Sequence, residues 1–219
     1  MNIKISFETF TATETEMVTG VNKSRQRDWR RRGLLGEISG HARYDLFSLS
    51  EIMAYDLVIQ KGISASELTP SIGSIGQTIA YKVLEYTHAY NGDFNLINEQ
   101  AWKFYKDKIG DKSITDALEK SLKQRSYGHY LRDIISKEKN LINSSLADYL
   151  IVGSYGKVRF ASFNNENHPK IYGLSQEVLR LSFEDESTVY VILDLQEIAK
   201  RLLNLTHKNF VNFTPVKSD

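Results

Sequence analysis

Apolar positions recur at helical spacing along most of the chain, and runs with strand character appear mainly in its last third. Thr13 to Thr19 reads as a short helix with Met17 and Val18 turned inward, followed by a tight turn at Gly20-Val21-Asn22 and a second helix over Lys23 to Arg32. Gly20 suits the positive φ that such a turn needs, and Val21 is the small apolar residue that can lock two crossing helices together. Leu46, Phe47, Leu49, Ile52, Met53, Leu57 and Val58 predict a helix of about a dozen residues, with Ser48 or Ser50 as N-cap and Gly62 ending it in the left-handed conformation. Between these helices, Leu34-Leu35 to Arg43-Tyr44 has the glycine-containing middle of a β-hairpin.

Thr69-Pro70 is a strong helix start, since proline at the first helical position lacks only an N–H that would be unpaired anyway. From there Ile72, Ile75, Ile79, Val83, Tyr86 and Tyr90 recur at spacings of 3, 4, 4, 3 and 4, until Asn91-Gly92-Asp93 stops the pattern. That is coiled-coil spacing, and it predicts either a dimerisation helix or a helix packed on a second domain. Gly73 and Gly76 weaken the coiled coil.

Residues 95 to 139 read mainly as helices, through Ile97, Ala101, Phe104 and Tyr105, then Ile114, Ala117, Leu118 and Leu122 after Ser113, then Tyr127, Tyr130, Leu131, Ile134 and Ile135. Asp148 to Gly153 and Lys157 to Phe163 look like strands around a Ser154-Tyr155-Gly156 turn, and Asn164 to Pro169 is a loop. Thr188 to Leu193 is a β-branched strand. Asp194 and Glu197 then give a capping-box pattern before a helix with Leu195, Ile198, Ala199 and Leu202 on its apolar face. The expected fold is α+β, with an N-terminal winged helix-turn-helix over 1–68, a helical linker over 69–92 and a C-terminal α+β domain over 93–219 that assembles the protein or senses a signal.

Composition changes this picture little until charge is located. The chain has 219 residues, with 28 Lys+Arg against 27 Asp+Glu, a balance that excludes a protein basic throughout. The window from Asn22 to Tyr44 nevertheless holds seven basic residues and two acids, Asp28 and Glu37, and is five charges positive. Local field governs association with a polyanion, so a neutral chain can carry a basic surface. Arg27, Arg30 and Arg31 share one face of the second helix, and arginine both grips phosphate and reads guanine edges through its planar fork. Trp29 points about a quarter-turn away, toward the first helix or the DNA backbone. The absence of cysteine excludes disulfides, thiolate metal sites and thiol sensors. No apolar run approaches the roughly 20 residues of a membrane helix, and the first residues lack a secretory-signal layout, so the expected location is the cytoplasm without membrane attachment.

Gly20-Val21-Asn22-Lys23-Ser24-Arg25-Gln26-Arg27-Asp28-Trp29-Arg30-Arg31-Arg32-Gly33-Leu34-Leu35 resembles, without a gap, the second helix of the mercury-resistance regulator (MerR) family of winged-helix DNA-binding proteins. Gly40-His41-Ala42-Arg43-Tyr44 matches that family's wing, and Lys61-Gly62-Ile63-Ser64 its next helix end, so the resemblance covers roughly residues 8 to 70. It implies that Arg27 reaches DNA from the recognition helix, that Trp29 stands where the family has a tyrosine, and that Arg43 and Tyr44 project from the wing to the backbone. It also implies a dimer formed through a helix at the place of Ile72 to Tyr90. Asp28 departs from the family pattern, which has an aromatic there, and the first helix is unusually polar. Helix geometry adds Lys23, Arg25, Gln26, Arg30 and Arg31 as DNA contacts. Arg32, beside Gly33, is equally suited to favourable interaction with the helix C-terminus.

No catalytic, cofactor or metal site is assigned. The five histidines, at 41, 88, 129, 168 and 207, form no helical pair, and neither Gly153-Ser154-Tyr155-Gly156 nor Gly73-Ser74-Ile75-Gly76 has the spacing of a nucleophile elbow or phosphate loop. Asp194 at a strand end fits an N-cap better than a catalytic acid. The expected function is a homodimeric, sequence-specific transcriptional regulator that binds double-stranded DNA, with no effector assigned. The alternatives are an architectural, excisionase-type DNA-bending protein, or an enzyme carried by the C-terminal half with a DNA-targeting domain.

Overall fold

The structure is a computed structural model that describes residues 2–35, 42–68, 72–109, 116–139, 148–153, 158–161 and 190–216. It is α+β, with helices packed around small mixed and antiparallel sheets. Thr69 and Pro70, the segment 36–41 that includes the middle of the expected hairpin, and the 154–157 turn lie outside the described residues, as do the loop 164–169 and Thr188.

Strand β1 (Asn2–Phe7) alternates Ile3, Ile5 and Phe7 with polar residues, and Ile3, Ile5 and Phe7 pack against the core while Lys4 and Ser6 face out. It pairs antiparallel with the last strand of the chain, Val211–Val216, with Ile5 opposite Phe213. Strand β2 (Phe10–Thr11) leads directly into helix α1 (Ala12–Thr19), whose N-terminus is closed by a capping box: Thr11 and Glu14 each accept from the other's backbone N–H. Gly20 ends α1 at φ 79°, and Asn22 caps helix α2 (Lys23–Arg31) by accepting from the Arg25 N–H.

Strand β3 (Arg43–Tyr44) pairs antiparallel with β2, Phe10 opposite Tyr44 and Thr11 opposite Arg43. The partner of Arg43-Tyr44 among the described residues is therefore the strand before α1, and not the Leu34-Leu35 segment of a local hairpin. Helix α3 (Leu46–Ile59) is capped by Asp45, which accepts from the Ser48 N–H. This corrects the expected serine caps: Ser50 lies inside the helix and donates to the Leu46 carbonyl. After the short helix α4 (Ala65–Leu68), helix α5 runs from Ile72 to Val83. The apolar spacing continues to Tyr90, but the helix does not: Thr87–Ala89 is a 3-10 turn and Tyr90–Asn91 forms β4.

Strand β4 pairs parallel with β8 (Val211–Val216), which completes a sheet in the order β1, β8, β4. A 3-10 segment at Phe94–Ile97 introduces α6 (Asn98–Ile109), which packs along α7 (Asp116–Glu138). A second sheet, in the order β6, β5, β7, is formed by β5 (Tyr149–Gly153), β6 (Val158–Ala161) and β7 (Tyr190–Asp194), all antiparallel neighbours. Asp194 ends β7 and caps α8 (Leu195–Leu205) by accepting from the N–H groups of Gln196 and Glu197. The Glu197 carboxylate meets Lys200.

The core runs through both halves of the chain. Helix α5 lies against α3 on one side and α8 on another. Ile75, Ile79 and Val83 are fully buried, each contributing about 1.5–3 kcal/mol of burial free energy. Gly76 permits the approach of α3, since a Cβ there would lie 2.4 Å from Glu51 Cγ and 3.2 Å from the Glu51 backbone nitrogen. Gly128 does the same for α7, where a Cβ would lie 2.4 Å from the Glu85 carbonyl oxygen.

Two predictions follow from these contacts. Because backbone cannot yield as a flexible side chain can, Gly128→Ala is expected to cost about 1–3 kcal/mol, read as a lower Tm. Burial, with Asp45 nearby, pushes the Glu51 carboxyl up to about 6. A folded-state value above the ordinary 4.5 means that stability from neutral Glu51 is complete below 4.5 and is lost as pH rises through 6, about 2 kcal/mol in all. In urea titrations the wild type should therefore lose about 2 kcal/mol relative to Glu51→Gln between pH 4 and pH 7.

Candidate nucleic-acid interface

Helix α2 divides into an anchored face and a basic one. On the anchored face Trp29 is buried, as is Val21 in the turn before the helix, and the Trp29 ring lies 5.5 Å from Tyr55 of α3. Gln26 is fully buried, and its side-chain amide donates to the Ala12 carbonyl at 3.1 Å and the Val21 carbonyl at 2.7 Å. Those bonds tie α2 to the start of α1 and to the turn between them. Arg25 lies 4.9 Å from the Trp29 ring centroid and donates to Asp56 of α3 at 2.9 Å, a pair whose carboxylate is largely shielded from water.

The opposite face carries Lys23, Arg27 and Arg31 at successive intervals of four residues, and all three are exposed. Lys23 and Arg27 have no ion-pair partner among the described residues. Arg31 donates to Asp28 at 2.6 Å, yet its side chain remains 81% exposed, and so open a pair holds it weakly. Arg32 also meets Asp28, at 3.5 Å. Asp28, which stands where the resemblance expects an aromatic, thus draws two arginines together at the end of the helix.

Arg30 is half-buried, its guanidinium 5.8 Å from the Tyr44 ring centroid. Tyr44 itself is buried, and burial raises its phenol above the ordinary value. Arg43 alternates with it on β3, exposed and without an ion pair among the described residues. The strand pleat that sends Tyr44 inward sends Arg43 outward.

Three expected DNA contacts are therefore corrected. Gln26, Trp29 and Tyr44 are interior, because α2 and β3 need buried anchors to hold their outer faces still. Arg25 is committed to Asp56 and Trp29. Lys23, Arg27, Arg31 and Arg43 remain as exposed cations, with Arg30 between the two groups. The expected dimerisation residues are corrected too: Ile72, Ile75, Ile79, Val83 and Tyr90 are buried within the chain, while half-buried Tyr86 accepts a hydrogen bond from the Gln196 amide of α8. The coiled-coil spacing is real, but its partners are α3 and α8.

Sequence spacing missed the internal role of Gln26, although a glutamine three residues before a tryptophan shares that residue's face of the helix. It also missed Asp56 as the anchor of Arg25, since nothing local links positions 31 residues apart. Among the described residues no three His, Asp or Glu side chains come together as metal ligands, and no helix is long and apolar enough to cross a membrane.

Gln26→Ala removes two hydrogen bonds, one of them buried, and takes the side-chain donor from the Val21 carbonyl. It should lower the unfolding free energy by about 1–3 kcal/mol in urea titrations, whereas Arg27→Ala, on the exposed face, should change it by less than about 0.5 kcal/mol. The chain matches no protein-family model, no curated protein and no solved structure.

Proposed function

We propose that the chain is a sequence-specific DNA-binding transcriptional regulator without enzymatic activity, and that α1, the Gly20-Val21-Asn22 turn, α2 and the segment around β3 act as a winged helix-turn-helix. The observation that carries the reading is the two-sided character of α2: Gln26 and Trp29 fasten one face inside the fold, and Lys23, Arg27 and Arg31 leave the other exposed and basic. A helix that enters the major groove needs this combination of a rigid mount and free donors. The mercury-resistance-regulator resemblance of residues 20–35 supports the same reading, with Arg27 reading bases and Arg43 gripping phosphate.

Binding energy in this proposal comes chiefly from phosphate neutralisation, with base contacts supplying specificity. The proposal keeps a homodimer on a two-fold site, with its contact made outside the buried positions of α5.

Fluorescence anisotropy with selected duplexes tests the assignment. Arg27→Ala and Arg43→Ala should each weaken binding at least several-fold at unchanged stability, and loss of the Arg43 phosphate contact should reduce the salt slope of log affinity by about 1. Unchanged affinity in both variants would overturn it. Sedimentation of the wild-type complex should give two chains per site.

A further inference from the structure

A cleft of about 360 Å3 opens between the 85–88 segment that follows α5, α7 and the start of α8, at a size that suits a small ligand. Its walls are mostly polar, with Glu85, Tyr86 and His88 on one side, Arg125 and His129 on α7, and Gln196 at the start of α8. Glu85 is the one carboxylate lining it among the described residues, and that charge is already committed: the carboxylate accepts from Arg132, with Lys82 3.9 Å away. Lys82 is in turn paired with Asp148 at 3.2 Å. Arg125, by contrast, lines the cleft exposed and has no ion-pair partner among the described residues.

His129 reports the sign of the field. Its Nδ1 lies 2.8 Å from Arg132 Nη2, so that nitrogen is the acceptor and the neutral ring carries its proton on Nε2. Tyr105 of α6 packs on the ring at 5.4 Å. Burial, then Arg132, Lys108 and Arg125, push its pKa down to about 4. Buried Arg132 also leaves its Nε without a hydrogen bond among the described residues. A partly enclosed site with surplus positive charge and amide, imidazole and guanidinium donors is complementary to an oxyanion, and repels a cation.

We propose that this cleft binds the oxyanion group of a small molecule, a phosphate or a carboxylate, with Arg125 as the charge partner and His129 and Gln196 as neutral hydrogen-bonding groups beside it. The position has a structural consequence. Gln196 donates to Tyr86 across the cleft, so an occupant would touch α7, the start of α8 and the 85–88 segment that follows α5. The inference does not depend on the DNA reading.

The test is NMR of the full chain near neutral pH, following the His129 ring and Arg125 side-chain resonances, with ionic strength held by chloride. Inorganic phosphate and succinate are titrated separately. At least one should give a saturable shift of both resonances, and Arg125→Gln, with its amide spectrum otherwise retained, should weaken that binding at least tenfold. Saturation by phosphate alone assigns a phosphoryl ligand, and saturation by succinate alone assigns a carboxylate. Absence of saturation with both, or equal binding by Arg125→Gln, would overturn the proposal.

Discussion

Helix α5 must be buried on two sides, and the rest of the architecture is arranged around that requirement. Ile75, Ile79 and Val83 have no exposed surface, so the chain has to bring α3 and α8 against them from distant parts of the sequence. The close approach of α3 depends on Gly76 having no side chain where Glu51 passes. Just beyond α5, the Tyr90 hydroxyl donates to the Leu84 carbonyl inside the core, and β4 joins the sheet that also holds the two ends of the chain. Burial of one helix thereby couples helix α3 to the C-terminal helix α8.

The support reaches α2 by way of α3. Tyr55 and Asp56 are neighbours on α3, and they hold Trp29 and Arg25 respectively. One element therefore presents an aromatic and a carboxylate to the same face of α2 while its own apolar residues pack on α5. Helix α2, which carries three of the four exposed cations of the candidate interface, is held by side chains that are themselves interior. The cleft beside α7 also depends on interior contacts: Gly128 lets α7 approach the Glu85 backbone, and Glu85, the one acid lining the cleft among the described residues, is neutralised by buried Arg132.

Much of this organisation is legible along the sequence. The short helices on either side of Gly20 and Asp194 as a helix cap arise from contacts within a few residues, which spacing and turn chemistry record directly, and the strands near 149, 158 and 190 show in their β-branched, apolar composition although their pairing is longer-range. The alternation of Ile3, Ile5 and Phe7 records a strand, but nothing nearby says that its partner is more than 200 residues away at Val211 to Val216. The serine caps expected for α3 gave way to Asp45 because a cap is decided by where the chain enters the helix, and pairing of β3 with β2 sets that entry.

Charge, backbone freedom and periodicity are properties of neighbouring residues, so the concentration of arginines on α2, the left-handed turn at Gly20 and the apolar stripe from Ile72 to Val83 can all be read along the chain. Which members of those patterns face outward depends on long-range packing. Trp29, Gln26 and Tyr44 went inside, where long-range partners could satisfy their apolar surface or their amide. Lys23, Arg27 and Arg43 stayed outside because no such partner reaches them among the described residues. The stripe on α5 met α3 and α8 in place of a second chain for a related reason: periodicity specifies that a face must be covered, and the long-range packing of the fold chooses what covers it.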